Sequence, residues 1–467
     1  MLPEEVLLEI FSYYVQQAQF GPGTEAWHTL VHVCRKWRCV VYGSPRRLNL
    51  RLICSARTPV RETLAVWPPL PIVIRQYGVS TCGEDNIVAA LEHNGHVCDI
   101  RLQGVSSSLL EKVLAAMQES FPALTCLQLE TEDDTAPVVP DSFLGASEST
   151  SHLRYLLLTG IRFPFPGLRK LFLSVTDLVH FAFRKIPHSG YISPEAMVTC
   201  ISALPRLEVL HIEYESPRSR PPVEHRRLPH PRRSVLPALT HFMFVGVSEY
   251  FEDLVDQVDA PLLDHLDITF FHQLVYNAPL LAQFMSRTPK LKAPDQAYVI
   301  FSDSQVMAAF QPHASDNGFQ LGISIRHSDW QLSSLAQVCT STSFLQALVP
   351  TVEHLYILDN GFSQPCWQDD IENSEWLELL HPFAAVKHLY LSQTFAPRVA
   401  PALQELVGER ATEVLPALRS IFLEWLHPSG FVPEAIMQFF SARRLSTHPI
   451  AVSHWIRQDL WLKMDDD

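Results

Sequence analysis

The sequence predicts an α/β protein in two parts. An all-helical N-terminal module covers residues 1–47, and an irregular solenoid of strand, turn and helix units covers 48–467, with parallel strands on its concave side and helices on its convex side. Three observations carry this expectation. An L-x-x-L-x-L pattern recurs downstream of residue 120, segments with helical periodicity lie between its copies, and the first 43 residues hold two helical apolar stripes.

The first stripe opens at Pro3, which suits a first helical turn because its missing N–H would be unpaired there. Glu4 and Glu5 complement the positive end of the helix dipole. Val6, Leu7, Ile10, Phe11 and Tyr14 then recur at spacings of three and four, a stripe that two or three turns cannot satisfy alone. Gly21-Pro22-Gly23 breaks the chain. Thr24 is the expected cap of one second helix carrying Trp27, Leu30, Val31, Val33, Cys34, Trp37, Val40 and Val41, ended by Gly43 and Pro45.

Nine segments fit the repeat pattern: PALTCLQL, SHLRYLLL, PGLRKLFL, PRLEVLHI, PALTHFMF, PLLDHLDI, PTVEHLYI, AAVKHLYL and PALRSIFL. Their first apolar positions stand 29 residues apart from Leu124 to Leu153, 32 from Leu207 to Leu239 and 34 from Val352 to Val386. Leucine-rich repeats usually run about 20 to 29 residues, so these units are long and uneven. Helices are expected at Ser107–Phe121, Ser193–Leu204 and Val399–Leu415. Residues 290–343 fit poorly, although FQLGISI (Phe319–Ile325) reads as one strand. Glu130–Thr150, rich in acidic, small and proline residues, reads as an exposed loop.

The N-terminal residues also carry a likeness. LPEEVLLEIF, followed by LVHVCRKWRCVV and SPRRL, resembles the F-box, the helical module that binds a Skp-type adaptor within cullin ubiquitin ligases. The run SPRRLNLRLICSARTPVRETLAVWPPLPIVI extends the resemblance, to about residue 75, to F-box proteins of mushroom-forming fungi. The resemblance implies that Leu2, Pro3, Val6, Ile10, Phe11, Leu30, Val33, Cys34 and Trp37 combine the module's core with its adaptor-contact surface. Without it, the same stripes read as a helical cap on the end of the solenoid.

On the repeats, strand alternation turns the three apolar positions inward and leaves the residues flanking the middle one together on the concave face. These are His241 with Met243, His265 with Asp267, His354 with Tyr356, His388 with Tyr390, and Ser420 with Phe422. Rings in a row suit a partner surface, or they stack on one another and stiffen the sheet. A metal reading of the histidines meets a geometric objection, because a ladder of strands spaces its rungs about 4.8 Å apart whereas zinc needs about four ligands converging at roughly 2 Å.

Charge and composition bound the remaining classes. Lys+Arg 36 against Asp+Glu 50 gives −14, which disfavours nucleic acid as a partner. The basic run Ser216–Ser234, with six arginines and five prolines, reads as a protruding solvated insertion or a nuclear-localisation signal. No basic leader and no apolar run of about 18 residues occur, so neither secretion nor a membrane is expected, and the localisation expected is cytoplasmic, nuclear or both. The nine cysteines form no CxxC and are expected to be mostly reduced and buried. Phosphate-loop, nucleophile-elbow and zinc-protease signatures are absent and no cofactor is implied. Adjacent Asp133-Asp134 and Asp369-Asp370 read as loop residues. The function expected is a non-catalytic substrate receptor of a ubiquitin ligase, holding a protein of unknown identity. The alternatives are a scaffold unrelated to ubiquitin and a hydrolase with a site within 290–343.

Overall fold

The computed structural model describes residues 2–18, 26–45, 47–55, 60–66, 70–78, 83–133, 135–145, 152–216, 233–271, 278–291, 294–312, 318–324, 330–341, 343–360, 371–406, 410, 412–424, 434–445 and 449–457. They divide into two compact units, one comprising Met1–Ile192 with Thr199–His211 and the other Ser193–Val198 with Ile212–Asp467.

The first unit opens with α1 (Glu4–Ala18), α2 (Ala26–Val33) and α3 (Arg35–Gly43). One helix was expected where α2 and α3 stand. The chain breaks at Cys34, whose extended backbone (φ −161°, ψ 166°) interrupts the helix while its Sγ accepts the Trp37 N–H at 3.5 Å. The expected Thr24 cap lies outside the described residues. Leu7, Phe11, Leu30, Val31, Val40 and Val41 form the module's core, none more than 5% exposed. Phe11 and Trp37 meet at 4.7 Å. The Trp27 indole N–H ties the module to its own C-terminal flank, donating to the Arg51 carbonyl at 3.0 Å, and within the module Arg47 pairs with Glu9 at 2.6 Å.

Strands β1 (Leu52–Cys54), β2 (Ile72–Tyr77), β3 (Val97–Val105), β4 (Cys126–Thr131), β5 (Tyr155–Thr159) and β6 (His180–Ile186) pair in parallel in sequence order. Helices α4 (Val60–Val66), α5 (Glu84–Leu91), α6 (Ser107–Ala116) and α7 (Phe165–Ser174) alternate with them. α8 (Pro194–Ile201) and β7 (Val209–Tyr214) lie where the units divide.

In the second unit the strands are β8 (Ser234–Val235), β9 (His241–Gly246), β10 (Val258–Asp259), β11 (His265–Phe271), β12 (Gln296–Phe301), β13 (Gln305–Gln311), β14 (Phe319–Ser324), β15 (His354–Asp359), β16 (His388–Leu391), β17 (Ser420–Glu424) and β18 (Ala451–Trp455). The helices are α9 (Ser248–Asp256), α10 (Pro279–Ser286), α11 (Gln331–Ser341), α12 (Ser343–Leu348), α13 (Asn373–Leu380), α14 (Ala396–Gln404) and α15 (Glu434–Leu445). The sheet runs β9-β11-β14-β13-β12-β15-β16-β17-β18, and β8 pairs with β10 apart from it. All neighbours in the sheet are parallel except around β13, which pairs antiparallel with both β12 and β14. The irregular stretch 290–343 thus contains, among its described residues, a three-strand meander followed by α11, and α12 begins at its end. Its outer strands continue the repeat, β14 against β11 and β12 against β15. Phe319–Ser324 of FQLGISI form one of these strands, as expected.

Eight of the nine repeat copies place a strand where the pattern put it, and their leading residues (Leu124, Leu153, Leu207, Leu239, Leu263, Val352, Val386, Leu418) are at most 3% exposed. PGLRKLFL is the exception, since it forms α7. Leu168, Leu171 and Phe172, spaced at three and four, are buried, while Leu173 is 63% exposed. L-x-x-L is also a helical spacing, and the burial follows the helix. The strand of this unit is β6, where Leu178 just before it and Phe181 and Phe183 within it supply the same pattern, and all three are fully buried.

The described residues of Glu130–Thr150 (130–133 and 135–145) do not form the exposed loop expected. Val139, Phe143 and Leu144 are buried, Val138 bridges Arg162, and the Asp133 carboxylate accepts the Ser107 N–H at 2.6 Å, capping α6. Its apolar residues at 139, 143 and 144 outweigh the polar composition around them. Of the basic run, only Ser216, Arg233 and Ser234 are described; Arg233 donates to the Asp256 carbonyl at 2.9 Å. Asp134, Asp369 and Asp370 lie outside the described residues.

Candidate interaction surfaces

Helix α1 is apolar on two faces. Leu7, Leu8, Phe11 and Val15 point into the core, and Val6, Ile10, Tyr13 and Tyr14, one to two residues out of phase, form a second stripe that is 41, 48, 64 and 42% exposed. A module of this size needs one apolar face to fold, so the second has no use within it. Leu2 (52% exposed) stands beside α3, its carbonyl accepting from Lys36 Nζ at 3.2 Å. Pro3, Val33 and Cys34 are exposed as well, and Trp37 is half-buried. Of the nine residues expected to serve this module, Phe11 and Leu30 belong to its core, and the other seven reach the surface.

In the second unit, Phe242, Phe244 and Phe270 pack against Phe251 of α9, and Phe301 meets Trp376 of α13 and Phe395. The opposite face of the sheet carries the flanking residues, all half-buried: His241, Met243, His265, Asp267, His354, Tyr356, His388, Tyr390, Ser420 and Phe422. Parallel register aligns them into rows. His354 lies over His388 (4.7 Å), and Tyr298, Tyr356, Tyr390 and Phe422 stack at 4.5, 4.2 and 4.6 Å with ring planes within 12°. Tyr298 lengthens this row beyond the expected set, because the meander puts β12 beside β15. Ring faces are taken up within the stack, so a partner meets ring edges, phenol hydroxyls and imidazole nitrogens. Burial and the neighbouring phenols push the Tyr356 hydroxyl well above its ordinary range, keeping it protonated.

Sequence reasoning missed what lies over this face. Trp455, at the end of β18, stands edge-on to Tyr390 (5.5 Å) and Tyr356 (6.0 Å), and packs with Tyr298 and Tyr356 on Ile300, Met307 and Leu358. Arg457 donates to the Asp359 carbonyl at 2.6 Å and lies 3.5 Å from its carboxylate. Leu358 alternates onto the ladder face yet is fully buried. The closing aromatic of the last strand was the only signal for this cover.

At the other end of the row, Asp267 sits between Met243 and Gln320 in register, with His265 and Thr269 two residues away on the same strand face. Gln320 Nε2 donates to Asp267 Oδ2 at 3.2 Å, while Oδ1 is buried without a partner among the described residues. Burial outweighs that hydrogen bond and raises the carboxyl from 3.8 to about 6. Burial first, and His241 second, lower the His265 imidazole. A carboxyl whose folded pKa exceeds its unfolded one contributes stability that is present at low pH and lost as pH rises through the folded value, here between about 4 and 6. Asp267→Asn is therefore expected to stabilise the protein above pH 7 by up to about 3 kcal/mol and to leave it unchanged near pH 4. Melting temperatures of parent and variant at pH 4 and 7.5 check this.

Among the described residues, no three His, Cys, Asp or Glu side chains converge as metal ligands, and no helix is long and apolar enough to cross a membrane.

No family model matches the chain. No curated protein matches it either. Among solved structures, it is similar to the crystal structure of the leucine-rich repeat-containing protein LegL7 from Legionella pneumophila, at 12% identity and a TM-score of 0.28, over 73% of this chain and 90% of that one. What the chain itself shows is a mixed α/β protein built on long runs of parallel strands, with repeat leucines as its core.

Proposed function

We propose that the chain is the substrate-recognition subunit of a Skp/cullin/F-box ubiquitin ligase, docking a Skp-type adaptor, and through it a cullin, on the N-terminal helices and a target protein on the repeats. The observation that carries this reading is the second apolar face of α1, four large side chains between 41 and 64% exposed on a helix that already buries the opposite face. In such an assembly the chain makes and breaks no bond, and its contribution is to hold the acceptor lysine near the charged ubiquitin carrier.

The target surface in this reading is the ladder of His354, His388, Tyr356, Tyr390 and Phe422, continued by His241, Met243, His265 and Asp267. Changing Tyr356 and Tyr390 together to serine is expected to reduce capture of proteins that co-purify with the parent and to leave adaptor binding intact, because the two surfaces belong to different elements. Unchanged capture with a lower melting temperature assigns the rings to stiffening of the sheet alone.

A second reading, a scaffold unrelated to ubiquitin with the helices as a cap, is favoured by the bond from the Trp27 indole to the Arg51 carbonyl. It gives the exposed stripe of α1 no purpose.

A further inference from the structure

The sheet of the first unit carries a second feature, on the face turned away from its buried leucines and isoleucines. Alternation puts Val73, Arg75 and Tyr77 of β2 there, together with Asp99, Arg101 and Gln103 of β3. Arg75 and Arg101 are register partners. Two arginines thus occupy neighbouring positions on strands about 4.8 Å apart, an arrangement in which like charges repel.

One carboxylate accompanies them. Asp99, 4% exposed, accepts from Arg101 Nε at 3.0 Å. Arg75 has no such partner among the described residues, and its Nε is buried without a hydrogen bond. The segments beside β1 and β2 that lie outside the described residues (56–59, 67–69 and 79–82) contain no Asp or Glu that could supply one. Across this face of β2 to β6, Arg75, Arg101 and Arg184 stand against Asp99 and Glu130, with Glu132 just beyond the end of β4, so in a chain of net charge −14 the arginines are not outnumbered here.

We propose that Arg75 and Arg101 form a receptor for one oxyanion, a carboxylate or a phosphate borne by a bound protein. The Arg101 side chain is 41% exposed, and its salt bridge to Asp99 uses Nε, so that carboxylate does not engage the terminal nitrogens, although the guanidinium also neighbours the Cys126 thiol. Guanidinium forks match the spacing of oxyanion oxygens, and two of them facing one anion turn mutual repulsion into shared attraction. Gln128, the register neighbour of Arg101, brings a neutral amide to the same row. This site is independent of the adaptor-docking reading, since none of its residues belongs to α1, α2 or α3.

The test is thermal unfolding of the full chain at low ionic strength with sodium phosphate, sodium acetate or sodium chloride matched in ionic strength. The parent is expected to gain stability with phosphate or acetate beyond chloride, saturating in the millimolar range. Arg75→Gln is expected to be as stable as the parent or more so without added anion, and to lose the anion-specific gain. Arg75→Lys keeps the charge but not the fork, and is expected to weaken the response about tenfold; it decides the matter if the glutamine variant does not fold. A phosphate response tenfold tighter than that of acetate identifies a phosphorylated side chain as the source, and comparable responses identify an acidic one. A parent that responds to phosphate and acetate only as it does to chloride overturns the proposal. So does an anion response that survives both substitutions undiminished.

Discussion

Replacing Phe172 by alanine is expected to destabilise the first unit by about 3–5 kcal/mol, whereas the same change at the adjacent Leu173 is expected to stay within about 0.5 kcal/mol. Phe172 is fully buried, its ring edge-on to Phe181 at 4.8 Å, and Leu173 is 63% exposed. The contrast discriminates two readings of one segment. If PGLRKLFL were a repeat strand, its third apolar position, Leu173, would be the buried residue and Phe172 would alternate outward. As a helix, 168, 171 and 172 share a face and 173 leaves it. Urea midpoints of the two variants give the answer, and a costly Leu173→Ala beside a tolerated Phe172→Ala would reverse the assignment of α7.

That segment also shows why sequence reading succeeds and fails where it does. Eight copies of the pattern were legible because a strand between flanking turns has one way to bury residues at the first, fourth and sixth positions. The ninth misled because i, i+3 serves a helix equally well, and β6 escaped because PGLRKLFL, just upstream, had already taken the place of that unit's strand. The break at Cys34 is a backbone event with no composition marker, so one helix was expected where two occur. The meander was hidden for another reason. β12 and β14 keep the repeat's pairing, but the antiparallel β13 between them has no counterpart in the other units. Of the candidate surfaces, the ladder was legible from strand alternation alone, since residues two apart share a face whatever lies beyond. The cover supplied by Trp455 and Arg457 was not, because it depends on contacts 98 residues apart in sequence, Arg457 with Asp359. The division of the helical stripe into a core half (Leu7, Phe11) and an exposed half (Val6, Ile10) likewise emerges only when α2 and α3 are in place.

The larger functional effect is expected at that exposed half. Ile10 is 48% exposed near the middle of α1, and Pro3 is exposed at its start, so neither supports the core, whose centre is the fully buried Phe11. Replacing both by alanine removes apolar area from the stripe and keeps helix propensity. Circular dichroism is expected to be unchanged. Central apolar residues of an interface carry most of its energy, so the loss on binding is expected to exceed a hundredfold, about 2.7 kcal/mol. The decisive measurement is the affinity of a purified Skp-type adaptor for the full chain and for the Pro3→Ala, Ile10→Ala double variant: the account predicts binding by the parent that the folded variant has lost, and it is contradicted if the parent does not bind or if the variant binds as well as the parent.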